Sequence, residues 1–385
     1  MEVRPFRIDV AHDVLDDLRW RLERARPAAE LPGAGWDYGT NGEYLAELVT
    51  YWRTRFDWRK VERRLNELPN VRVEVDGLDV HLVVQRGEGP DPLPIVLVHG
   101  WPSGYLEMTR LIPLLADPGA HGADQADAFH VVVPSLPGFG FSDAPRSRGY
   151  GYARMAATVR RVVTEGLGYR RYGLHGTGLG AYVNGRIALA DPEAVVGLHT
   201  HDPALTLPLS AGSPRTEAEE AFLAYAREWN AEEGAYGALH RTKPQSLAHA
   251  LNDSPVGLLS WLVEKYRSWS DCDEDVERRY SKDDLLTSAT LYWVTGSIGS
   301  SIRVYYERVR ADPPIPPGTR LRVPTGVAMP RAIPGNPPRR ATREMIGRTH
   351  DIHHWVDLSS GGHFASWEEP ELVAASIRDF FRPLR

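Results

Sequence analysis

Residues 172–187 read Tyr-Gly-Leu-His-Gly-Thr-Gly-Leu-Gly-Ala-Tyr-Val-Asn-Gly-Arg-Ile, a strand pattern that runs through a glycine turn straight into a helix pattern. A strand-to-helix turn this sharp leaves no room for side chains on either side of its apex, so small residues must flank it. Gly176 and Gly180 supply that frame. The arrangement is that of a nucleophile elbow, with Gly178 at its centre, where an enzyme of this design carries Ser, Cys or Asp. The residues predict an elbow without a covalent nucleophile.

Around this turn, strand and helix patterns alternate. The first stretch reads as helical, with Val14, Leu15, Leu18 and Leu22 on one stripe of Asp13–Arg26, and Glu43–Leu65 reads as a second helical region. Strands are expected at Val71–Val75, Leu78–Gln85, Ile95–Val98, His130–Val133 and Val195–His201, with helices at Glu107–Leu115 and Tyr152–Leu167. From 206 to 315 the pattern is helical, and Pro313–Gly318 reads as a hinge back to strands at Leu321–Met329 and His353–Asp357 and a last helix at Pro370–Phe381. Alternation of this kind implies an α/β fold with a mostly parallel, doubly wound sheet. The expected organisation is an N-terminal extension over 1–70, a core over 71–205, an inserted helical lid over 206–315 and a second core part over 316–385.

Composition narrows the function. A net charge of −6 in 385 residues predicts no nucleic-acid partner. Cys272 is the only cysteine, which fits a reducing cytoplasm, and the opening residues lack the apolar segment of a secretory signal. No stretch is long and apolar enough to predict a membrane span. Only Lys60, Lys243, Lys265 and Lys282 are lysines among 45 basic residues, which points to a GC-rich bacterial genome.

Two further segments bear on chemistry. His99-Gly100-Trp101-Pro102 follows directly on the strand ending at Val98; a bare His-Gly pair reads as a turn, but with the Trp-Pro continuation and the downstream elbow it reads as one side of an oxyanion hole. Gly361-Gly362-His363-Phe364 lies between the last strand and the last helix, third in the chain order elbow, acid, histidine. Polar residues also fall at the carboxyl edge of the predicted sheet: His175 and Thr177 at the elbow, and His201 and Asp202 at the next strand's end. Each reads first as structural, although open sheets bind ligands at this edge. Gly176, Gly178, Ala181 and Asp202 also fit a dinucleotide fingerprint, but mid-chain rather than in a first βαβ unit. No cofactor and no metal site is expected.

Together these pieces resemble the microsomal-type epoxide hydrolases of the α/β-hydrolase superfamily. The resemblance runs from Gly35-Trp36-Asp37-Tyr38-Gly39 and Phe56-Asp57-Trp58-Arg59 through His99–Pro102 and Pro134–Asp143. It continues through Leu251-Asn252-Asp253-Ser254-Pro255-Val256-Gly257, Leu291-Tyr292-Trp293 and Val323-Pro324-Thr325-Gly326 to Gly361–Phe364. Within that family the chain is similar to members from enediyne biosynthetic pathways, including hydrolase-fold cyclases that join anthraquinone and enediyne portions. The family mechanism implies an Asp nucleophile, a His/acid pair that activates water, and lid tyrosines that protonate the epoxide oxygen. Residue by residue, the Asp position is Gly178, the Trp after it is Leu179, and the acid position falls around Ala332 or Ile333, with no carboxylate between Val323 and Arg343. His363 remains, Tyr305 matches one lid tyrosine, and Tyr236 is a candidate for the other.

The resemblance therefore implies catalytic roles for Tyr305 and His363. Substrate contacts are expected from His99, Gly100, Trp101, Pro102, His175, Thr177, Gly178, Leu179, His201, Asp202 and Tyr236. Three functions compete: non-hydrolytic cyclisation or rearrangement of a bulky polycyclic polyketide epoxide, epoxide hydrolysis by direct water attack, and catalytically silent sequestration of a reactive product. A cytoplasmic enzyme with a small-molecule partner, capable of forming a homodimer, is the expectation.

Overall fold

The computed structural model describes residues 1–207, 215–316, 318–331 and 341–385. Its spine is a nine-stranded sheet in the order β1-β2-β3-β5-β4-β6-β7-β8-β9. The strands are β1 (Val3–Pro5), β2 (Asn70–Val75), β3 (Leu78–Gln85), β4 (Leu93–Val98), β5 (Phe129–Pro134), β6 (Tyr172–Gly176), β7 (Val195–Thr200), β8 (Pro324–Met329) and β9 (Asp351–Asp357). The first three pair antiparallel, β3 meets β5 antiparallel, and all pairs from β5 onward are parallel. The sheet is mostly parallel and flanked by helices, as expected of an α/β fold.

Central strands are apolar on both faces because helices cover both. In β4 the run Ile95–Val98 is wholly buried, as is Val131–Val133 in β5. The carboxyl ends of β4, β6 and β7 lie side by side, with Val98 opposite Gly176 and Gly176 opposite Thr200. This register brings three loops to one edge: His99–Ser103, the elbow, and the turn at His201–Asp202.

Several expectations change in detail. Val3–Pro5 is a strand, not part of a helical stretch: Val3, Arg4 and Pro5 pair with Val73, Arg72 and Val71. Glu43–Leu65 divides into two helices, Gly42–Thr54 and Trp58–Leu65, because Asp57 caps the second by accepting from Arg59 N–H. Glu107–Leu115 is instead a 3₁₀ segment, Gly104–Met108, followed by the helix Leu111–Ala116. Pro370–Phe381 is helical over its whole predicted length. Between β7 and β8 the described elements are all helices, and the helices Pro255–Trp269 and Lys282–Thr295 pack against the N-terminal helices His12–Glu23 and Gly42–Thr54. No described helix is long and apolar enough to cross a membrane.

The elbow packs without slack. A Cβ on Gly180 would stand 2.1 Å from the carbonyl oxygen of Val98 and 2.9 Å from that of His99, both backbone atoms that cannot swing aside. We therefore expect Gly180→Ala to destabilise the protein by about 3 kcal/mol, the upper end of what overpacking costs in a dense core. Thermal unfolding checks this: the melting point should drop by several degrees, and an unchanged one would refute the packing argument.

Candidate active site

β6 ends at Gly176, and the helix Leu179–Ala190 begins after only two intervening residues. The turn closes through Gly178 at φ +53°, ψ −122°, a conformation in which side chains are strained. Its N–H donates to Asp202 Oδ2 at 2.5 Å, and the Thr177 hydroxyl donates to the same oxygen at 2.9 Å. Asp202 is buried just past β7. The carboxylate that the fold brings to the elbow thus comes from the neighbouring strand.

His363 approaches from the other side. A Cβ on Gly178 would lie 3.4 Å from both Cε1 and Nε2 of its ring. The loop that carries it is clamped by Glu368. One Glu368 oxygen accepts from Gly362 N–H (3.0 Å) and Asp271 N–H (2.7 Å), and the other accepts from Phe364 N–H (3.0 Å). His363 N–H donates to Trp269 O at 2.7 Å, and the ring packs edge-on to Trp269 with centroids 5.2 Å apart. The acid position near Ala332 and Ile333 lies outside the described residues.

Above the elbow, the helices Ala235–Thr242 and Ile298–Ala311 supply two tyrosines. Tyr236 stacks flat on Trp101, with centroids 5.4 Å apart and planes 6° apart, and Tyr305 meets Tyr236 edge-on at 6.2 Å. Burial raises the pKa of both hydroxyls, while the Arg308 charge acts to lower it. Both therefore stay protonated at neutral pH and can donate. The sequence reading missed His240, one helical turn past Tyr236: its ring is buried 5.0 Å from Tyr305, neither nitrogen has a hydrogen-bond partner among the described residues, and burial lowers its pKa to about 3.

These groups surround a cavity of about 340 Å³, within the range of small-molecule sites. Trp101, Gly178, Leu179, Asp202, Tyr236, Tyr305 and His363 line it, so seven expected positions meet there. Among the described residues, the N–H groups of Trp101 and Leu179 take no hydrogen bond, which leaves two donors beside the elbow for a ligand oxygen. Also missed in the sequence were Tyr152, Tyr182, Trp229, Trp269 and Arg308, whose signals are single residues scattered over five helices.

The remaining expected contacts lie off the cavity wall. His99 has both ring nitrogens engaged, one with Gly100 O (2.8 Å) and one accepting from Leu136 N–H (3.1 Å). Gly100 lets two loops touch, since a Cβ there would be 3.3 Å from Thr177 O. Pro102 is buried behind Trp101, and Thr177 is turned to Asp202. His175 shares a hydrogen bond with His199 (2.9 Å) and another with Ser366 (3.1 Å), and His201 engages Ala328 O (2.9 Å) and Ser366 (3.2 Å). Burial lowers the pKa of His175 and His199 well below the usual histidine value, so these two rings are neutral. It fastens the segment after His363 to β6, β7 and β8, a structural role in place of the expected substrate contact. No described group of His, Cys, Asp or Glu is arranged to hold a metal ion.

Comparison with known proteins gives a consistent outcome. The family model "Epoxide hydrolase N terminus" matches residues 3–108, and "alpha/beta hydrolase fold" matches residues 94–298. A Stigmatella aurantiaca protein, provisionally named an epoxide hydrolase, is 38% identical over 100% of this chain and 86% of its own. Epoxide hydrolase 1 of Oryctolagus cuniculus is 34% identical over 98% of this chain and 88% of its own. The solved structure of Aspergillus niger epoxide hydrolase superposes with a TM-score of 0.85 at 26% identity, covering 100% of this chain and 97% of that one.

The Glu368 clamp gives a test by pH. Burial raises this carboxyl from 4.5 to about 7 despite its three N–H partners. A folded pKa above the unfolded one means the stabilisation is complete below pH 4.5 and is lost as pH rises toward 7, roughly 3 kcal/mol in all. The stability of wild type minus that of Glu368→Gln should fall across this window in denaturant titrations, the buried histidines cancelling between the two. A flat difference would overturn the assignment.

Proposed function

The chain belongs to the epoxide hydrolase family of the α/β-hydrolase fold, and from that footing we propose that it acts without a covalent intermediate, as a cyclase or isomerase of a bulky epoxide-bearing polyketide such as an enediyne intermediate. The observation that carries this reading is Gly178 at the elbow turn: an ester cannot form on a residue with no side chain. The absence of any carboxylate from Pro324 to Thr342 supports it, since the family acid would fall there. Gly178 and Leu179 in place of Asp and Trp also leave more room in the cavity.

In the proposed reaction the lid expected over 206–315 covers the substrate. Tyr305 and Tyr236 donate hydrogen bonds to the epoxide oxygen, and a carbon or oxygen nucleophile of the same substrate attacks an epoxide carbon. One C–O bond breaks, one new bond to carbon forms, and the nucleophile's proton passes through His363 and the tyrosines to the new alkoxide. The product is an isomer of the substrate. Positioning can supply on the order of 7–11 kcal/mol in favourable intramolecular cases, and each general acid typically contributes about 10²–10⁴ in rate. A second reading, hydrolysis by direct water attack, is favoured by His363 facing the elbow and by the names of the relatives. A sequestering protein without turnover is the third.

Incubation with polycyclic epoxides in ¹⁸O-water separates the three by accurate mass. We expect unchanged mass with a new retention time; a labelled diol would establish hydrolysis, and no reaction would leave a binder. Tyr305→Phe should lower turnover by about 10²-fold or more while leaving the fold intact, and full activity in this variant would remove the proposed acid. Restoring Asp at the elbow should not by itself restore hydrolysis. In Gly178→Asp the acid partner is still missing and the Asp202 carboxylate sits beside the new one, so rapid diol formation would overturn the argument that the whole covalent apparatus is gone.

A further inference from the structure

One wall of the cavity carries a cation that no part of the epoxide-opening scheme uses. Tyr152, on the helix Tyr152–Arg161, and Tyr182, on the elbow helix, stack with centroids 5.1 Å apart and planes at 30°. The Arg308 guanidinium, from the helix Ile298–Ala311, lies over both rings, 4.3 Å from the centroid of Tyr182 and 5.1 Å from that of Tyr152. All three line the same cavity as Gly178 and His363. Among the described residues no carboxylate lies within 4.0 Å of Arg308, although two acids are close in sequence. Glu307 accepts from Gly149 N–H at 2.7 Å. Asp312 accepts from Tyr152 N–H (3.0 Å) and Ala153 N–H (3.1 Å) and lies 3.7 Å from Arg186. Arg241 adds a second guanidinium to the lining, also without an ion pair among the described residues.

A planar guanidinium partly withdrawn from water favours an anionic oxygen, which it can grip with two parallel N–H groups. The two rings hold it in place at the cavity wall, of which Arg308 is itself a part. We propose that Arg308, seated on Tyr152 and Tyr182, binds an ionised oxygen of an aromatic substrate, either a carboxylate or an acidic phenol or enol. This rests on the reading that the cavity is the substrate site, but not on which reaction occurs there.

Calorimetric titration with two matched pairs tests it. The first pair is 2-naphthoate and 2-naphthamide; the second is 2-hydroxy-1,4-naphthoquinone, ionised at neutral pH, and its 2-methoxy ether. The anion of at least one pair should bind the wild-type protein roughly tenfold or more tighter than its neutral partner, as a charge-assisted contact implies. The pair that shows the preference identifies the source of the oxygen. Arg308→Gln should erase the preference, while Arg308→Lys, which keeps the charge and loses the fork, should keep part of it. Equal binding within both pairs by the wild-type protein overturns the proposal without any variant. A lowered melting point in Arg308→Gln with the preference intact would leave Arg308 only a staple between helices, and would overturn it too. Isomer formation together with equal binding would sink this inference alone, and a labelled diol together with a clear anion preference would sink the cyclase reading alone.

Discussion

The elbow helix starts against the end of β4 with nothing between them but backbone: the Val98 carbonyl occupies the space where a Cβ of Gly180 would be. Everything at the site follows from that approach. With β4, β6 and β7 in register, the turn at Thr177–Gly178 is pressed between the Gly100–Trp101 loop and the Asp202 turn. The Gly178 N–H then falls on Asp202, the Trp101 and Leu179 N–H groups stay without a hydrogen bond among the described residues, and His363 closes on the elbow from the other side. A bulkier residue at 180 would move all of these together.

The polar groups divide into two layers with opposite tasks. Beneath the elbow, His175 and His199 share a hydrogen bond, the two of them and His201 engage Ser366, Ser376 and the Ala328 carbonyl, and the burial that keeps His175 and His199 neutral makes this layer a brace for the His363 segment. Above it, the cavity holds protonated tyrosines, aromatic faces and guanidinium groups, with Asp202 the carboxylate at its floor. Such a site can donate hydrogen bonds to an oxygen and hold a flat ligand. In the reading proposed here, it directs a reaction between two parts of one substrate.

How much could be read in the residues depended on distance along the chain. Strand patterns, the glycine frame of the elbow and the helix Pro370–Phe381 were legible because they rest on neighbours two to four positions apart. Val3–Pro5 was not, because three exposed residues become a strand only by pairing with β2. Glu43–Leu65 read as one region, since a single Asp57 side chain decides where the second helix begins. At the site, Tyr305, Tyr236, His363 and Trp101 were found through motif positions, whereas Arg308, Tyr152 and Tyr182 belong to no motif and meet only when three helices pack.

By itself the sequence determined the α/β architecture, the elbow with glycine at its apex and the family, because each is written in local spacing and small-residue frames. Only the tertiary structure decided which polar residues reach the cavity. It turned His99, His175 and His201 into buried braces, set Asp202 against the Gly178 N–H and gathered Arg308 onto two tyrosines. The physical reason is that the direction of a side chain at the end of a strand or on the face of a helix is settled by the elements packed against it, and those come from distant parts of the chain.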